Sequence, residues 1–122
     1  MDRTAMPDLF ENCSGVGEVL SRIGDKWTVQ VVVVLHQQPR RFNTLKKLVP
    51  GISQQMLTRT LKALERDGMV KRMVRATTPP QVEYSLTDLG LSLSEPVRHL
   101  AAWAIEHREV IGRCRRNFDS RS

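Results

Sequence analysis

The sequence predicts a mainly α protein with a small β-hairpin, of the α+β class, built as a winged helix-turn-helix. Three observations predict it. Two short helical patterns flank a tight turn from Val49 to Ser53, the arrangement of a helix-turn-helix. Two β-like runs joined by a polar connection follow at once, and a hairpin directly behind the second helix is a wing. Positive charge concentrates over this same region, where residues 40 to 81 hold ten lysines or arginines against two acids.

The chain has 122 residues, which fits one domain, and a domain this small often gains stability from pairing. Residues 1 to 12 read as a flexible N-terminal arm, 13 to 112 as the single folded domain, and 113 to 122 as a flexible basic tail. Gly15 to Ile23 places Val16, Val19, Leu20 and Ile23 at helical spacing. Gly24-Asp25 breaks this helix, and Asp25 is suited to cap the next, starting near Trp27. Thr28 to Leu35 carries five valines. Propensity favours a strand there, but period-2 alternation is missing and a fully buried helix would look the same.

Gln37-Gln38-Pro39 is a turn, and Asn43 is placed to cap a short helix, Thr44 to Val49, with Leu45, Leu48 and Val49 inward. Pro50-Gly51 ends it. Ser53 caps a longer helix, Gln54 to Asp67, closed by Gly68. Val70 to Ala76 and Val82 to Leu86 form the hairpin across Thr77 to Gln81. Thr87-Asp88 caps a further helix, and Ser94-Glu95-Pro96 either continues it or opens a last helix to about Gly112.

On the 54 to 67 helix, Leu57, Leu61 and Leu64 fall in one narrow sector that must face the core. Gln55, Arg59 and Lys62 lie opposite, with Thr58 at the edge and Arg66 at the far end. Amides, a hydroxyl and cations on one outer face pair with base edges and phosphates. The amide of Gln54 or Gln55 suits adenine, Arg59 suits guanine, and Thr58 suits a phosphate or a thymine methyl. Lys71, Arg72 and Arg75 in the hairpin, and Arg40 and Arg41 before the short helix, suit backbone phosphates.

Charge agrees. The whole chain carries +6 with a pI near 10.0, whereas residues 40 to 81 alone carry +8, leaving −2 for the rest. A localised excess of this sign suits a polyanionic partner, duplex DNA.

With these pieces in order, the sequence resembles the HxlR-type winged helix-turn-helix transcriptional regulators. The matching stretches are Gly24-Asp25-Lys26-Trp27, Arg41-Phe42-Asn43-Thr44-Leu45 and Pro50-Gly51-Ile52-Ser53-Gln54-Gln55-Met56-Leu57. Next come Leu61 to Gly68, Pro79-Pro80 with Val82 to Thr87, Gly90 and Trp103. The likeness spans roughly residues 13 to 105. It implies that the valine run is a buried helix. It also implies DNA-binding positions at Arg41, Ser53, Gln54, Gln55, Thr58, Arg59, Lys62, Arg72, Arg75, Thr77 and Gln81. Gln81 departs from the pattern, since relatives often carry a cation there, and Thr77 and Thr78 are neutral. The wing is therefore expected to grip phosphate less than usual.

The resemblance further implies a homodimer with N-terminal and C-terminal dimerisation helices. The last helix supports this through a stripe of Val97, Leu100, Ala101, Ala104 and Ile105. A two-fold dimer presents two recognition helices to successive major grooves, so its operator is an inverted repeat.

Cys13 and Cys114 are too few for a disulfide framework. Some members of this family sense oxidants or electrophiles through a cysteine at the place of Cys13, fourteen residues before Trp27. A thiol near a helix start gains thiolate character from the helix dipole. Cys114 is a candidate partner across subunits, so a small reactive effector is one expected signal. The alternatives are a ligand-responsive regulator with a pocket around Trp27, Trp103 and Met56, and a winged-helix module that binds protein. His36, His99 and His107 show no metal-ligand spacing, and no catalytic motif or cofactor site stands out. No apolar run nears the length of a membrane span and the start, Met1-Asp2-Arg3, has no apolar core behind it. No membrane partner is expected, and a cytoplasmic location follows by default.

Overall fold

A computed structural model of the protein describes residues 13–121. The element order is α1 (Cys13–Gly24), α2 (Lys26–Gln37), β1 (Arg40–Arg41), α3 (Phe42–Leu48), α4 (Gln54–Arg66), β2 (Val70–Arg75), β3 (Gln81–Leu86) and α5 (Asp88–Asp119). The expected arm, residues 1–12, lies outside the described residues.

The valine run is helix α2. An Asp25 carboxylate oxygen accepts hydrogen bonds from the backbone N–H groups of Trp27 (2.8 Å) and Thr28 (3.2 Å). This cap starts a helix whose Thr28, Val31, Val32 and Leu35 are buried. Burial on several sides explains the missing alternation: the helix is the centre of the domain, not a surface strand.

The core joins Val31, Val32 and Leu35 of α2, Leu45 of α3 with Val49 beside it, and Leu57, Leu61 and Leu64 of α4. Val70 and Leu86 close it from the sheet and Val97 from α5. Leu48 differs from expectation. It is 44% exposed, because the helix begins at Phe42 and turns Leu45, not Leu48, inward. Asn43 does not cap α3; it lies in the first turn, and the cap position is Arg41, with no side-chain cap bond.

Ser53 caps α4 as expected, its Oγ accepting from the Met56 N–H at 3.1 Å. The helix closes at Gly68, whose φ of +78° suits glycine. Gly51, at +82°, makes the turn of the helix-turn-helix.

The hairpin forms, with Val70 opposite Leu86 and Arg75 opposite Gln81. A third strand joins it. Arg40 and Arg41 pair antiparallel with Tyr84 and Glu83, giving the sheet order β1-β3-β2. Two residues carry no readable periodicity, so the sequence reading missed this strand.

Thr87 caps α5, its Oγ1 accepting from the Gly90 N–H at 3.1 Å. The helix then runs unbroken for 32 residues with Pro96 inside it. The tail read as flexible from residue 113 is helical through Asp119. The polar run Arg113 to Asp119 hid this, although Cys114 and Phe118 continue from Ile111 at helical spacing.

Candidate nucleic-acid interface

The outer face of α4 is built by the same periodicity that builds its inner one. With Leu57, Thr60, Leu61 and Leu64 buried, Gln54, Gln55, Arg59 and Lys62 are exposed and Thr58 is half-buried. These five side chains line one open depression. A second depression shares Thr58 and Lys62 and extends to Arg72 and Tyr84 of the sheet, with Phe42, Leu61 and Glu65. The structure thus brings Arg72 to the flank of α4. Among the described residues, none of Gln54, Gln55, Thr58, Arg59, Lys62 and Arg72 spends its side chain on a hydrogen bond or ion pair. Their donors and acceptors are available to a ligand.

The remaining predicted positions are held differently. Arg41 donates from Nη2 to Oε1 of Gln81. Arg75 pairs with Glu83, Nη2 to Oε1, at 3.0 Å. Thr77 donates its hydroxyl proton to the Pro79 carbonyl at 2.8 Å. Four of the predicted positions therefore bond within the sheet and its loop. Gln81 lies in strand β3, not in the connection. Glu83 is a participant that the sequence reading missed, and alternation along β3 carried no sign of its pairing.

The predicted pairing stripe divides. Val97 is fully buried in this chain's own core, so its place in a subunit interface is corrected. It lies three residues from the equally buried Ser94, where α5 still packs on α2. Ala101 is half-buried and Ala104 exposed. Leu100 (57%) and Ile105 (63%) are exposed. Trp103, Val110 and Phe118 extend the exposed apolar surface along α5, and on α1 Val19 and Leu20 are also exposed.

Cys13 is the first residue of α1. Cys114 is a free, exposed thiol within α5, on a shallow depression with Ile111 and Phe118. Trp103 stacks on His107 with ring centroids 4.5 Å apart, while Trp27 packs against the core. Among the described residues no cluster of three His, Cys, Asp or Glu side chains could hold a metal, and no helix is long and apolar enough to cross a membrane.

A helix-turn-helix followed by a wing, with an unpaired amide and cation face on its second helix, defines a winged-helix DNA-binding protein. The family model described as HxlR-like helix-turn-helix matches residues 22–111. This chain belongs to that family, and it is a transcriptional regulator. It is 43% identical over 96 residues to the HTH-type transcriptional regulator YtfH of Escherichia coli (strain K12), covering 79% of this chain and 76% of that one. The solved structure of the ytfH regulator of Salmonella typhimurium superposes with a TM-score of 0.77 at 37% identity, covering 83% of this chain and 90% of that one. The redox regulator HypR in its reduced form gives 0.73 at 38% identity, covering 80% and 97%.

Proposed function

We propose that this regulator binds an inverted-repeat operator as a homodimer, with Gln54, Gln55 and Arg59 on base edges and Ser53, Thr58, Lys62 and Arg72 on the backbone. The observation that carries this reading is the unpaired state of the α4 face and of Arg72 beside it. Arg41 and Arg75 act as backbone contacts already partly satisfied by Gln81 and Glu83, so they add affinity without sequence choice.

The exposed side chains Leu100, Trp103, Ile105, Val110 and Phe118 support pairing through α5. Burying a large apolar side chain fully contributes ~1.5–3 kcal/mol. Several on each of two copies are of a size to offset an association cost of ~4–15 kcal/mol. Cys13 is the candidate redox sensor, supported by its place at the start of α1 and by the likeness to the redox regulator HypR. Cys114 is its candidate partner across subunits.

The test is fluorescence anisotropy of the reduced protein on a duplex from its own upstream region, with a random duplex alongside. Selective binding that collapses on mild thiol oxidation, and that Cys13→Ser preserves, is the expected result. Selective binding indifferent to oxidation discards the thiol switch and keeps the regulator. Arg59→Ala should cost ~1–3 kcal/mol on the operator and relax choice at one base pair. Equal losses on operator and random duplexes would remove Arg59 from base reading.

A further inference from the structure

The C-terminal end of the recognition helix is gripped from two sides. At the end of α1, Arg22 Nε donates to Asp67 Oδ2 at 3.0 Å, with both side chains about one-third exposed (34% and 30%). Asp67 is the C-cap residue of α4. A carboxylate there faces the negative end of the helix dipole, so helix stability does not account for it; the guanidinium does. At the start of α5, Thr87 donates from Oγ1 to the Gly68 carbonyl at 2.6 Å, and from its backbone N–H to the Met69 carbonyl at 3.0 Å. Gly90 presses closer still. A Cβ built there would stand 2.1 Å from the Met69 carbonyl oxygen. Otherwise α1 lies mainly along α2, with Val19 and Leu20 left open.

We propose that this end of α4 is a joint through which α1 and α5 set the pitch of the recognition helix, with Arg22 and Asp67 as positioning residues. This rests on the reading that α1 and α5 pair two copies over an inverted repeat. Asp67 lies about 20 Å along the helix from Gln54, so neither residue of the pair reads DNA. Their effect is on the angle between reading helix and dimer, and hence on which half-site spacing the dimer fits. The pair acts once in each subunit, so its influence on operator affinity is squared.

The sign of one substitution separates this from general electrostatics. Asp67→Asn removes a negative charge, which alone would tighten binding to every duplex. The joint requires the reverse on the operator. We expect Asp67→Asn to weaken operator binding about five-fold while random-duplex binding stays level or tightens, with the thermal midpoint nearly unchanged. On operators with the half-site spacing altered by one base pair either way, the spacing optimum should broaden. The charge-swapped Arg22→Asp/Asp67→Arg chain keeps net charge and should restore both. Operator and random affinities moving together, or a swap that restores nothing, overturns the joint. A wild-type chain that prefers no operator defeats the dimeric regulator reading and the joint with it. Wild-type preference retained unchanged in Asp67→Asn defeats the joint alone.

Discussion

The inner and outer parts of α5 belong to one helix, yet they live in different surroundings. In the first half Gly90, Ser94 and Val97 are buried against the domain, and His36 Nδ1 meets Ser94 Oγ at 3.0 Å. Beyond Val97, Leu100, Trp103, Ile105, Val110 and Phe118 are half exposed or more. A stripe at helical period states that a face will be covered, not by what. Here the chain covers the face of Gly90, Ser94 and Val97 itself, and leaves the later apolar side chains, like Leu89 and Leu91, open.

The contrast breaks most visibly at Val97 and Ile105. Val97→Asp puts an unpaired carboxylate where exposure is 0%. It should abolish the cooperative thermal transition, the outcome of burying a charge without a partner. Ile105→Asp, at 63% exposure, should leave the melting of the wing domain intact and convert the protein to monomer in sedimentation. Equal unfolding by both would mean that the outer half is also core. Next in size is Gly90→Ala. Its Cβ meets a backbone carbonyl that cannot step aside, so a loss of ~1–3 kcal/mol in denaturant unfolding is expected. Smallest is His99→Ala. It removes an exposed pair with Glu95 at 3.6 Å, one turn away on the same helix. A change within about 0.5 kcal/mol should follow. A larger one would place this surface inside an interface.

Much of the fold was legible because its signals are local. Asp25, Ser53 and Thr87 each cap the helix that follows, and Gly51 and Gly68 stand at positive φ where their neighbours turn. The outer face of α4 was legible too, since Leu57, Leu61 and Leu64 fix its rotation. What escaped depends on contacts distant in sequence. β1 exists only because β3 lies beside it. Glu83 holds Arg75 and Gln81 holds Arg41, and no spacing announces either pair. Arg22 and Asp67 are forty-five residues apart. The valine run stayed ambiguous from its residues because a helix buried on most sides has no polar face to mark its period.

The length of α5 has a mechanical consequence. At 1.5 Å per residue its 32 residues span about 48 Å. Packed on the domain through Gly90, Ser94 and Val97, it has the proportions of a lever with a short inner and a long outer arm. A tilt of about 5° at the root would carry the far end roughly 4 Å over that length. Conversely, a grip near Phe118 sets the angle at the root with small force, so rigidity in the outer arm becomes angular precision at the domain.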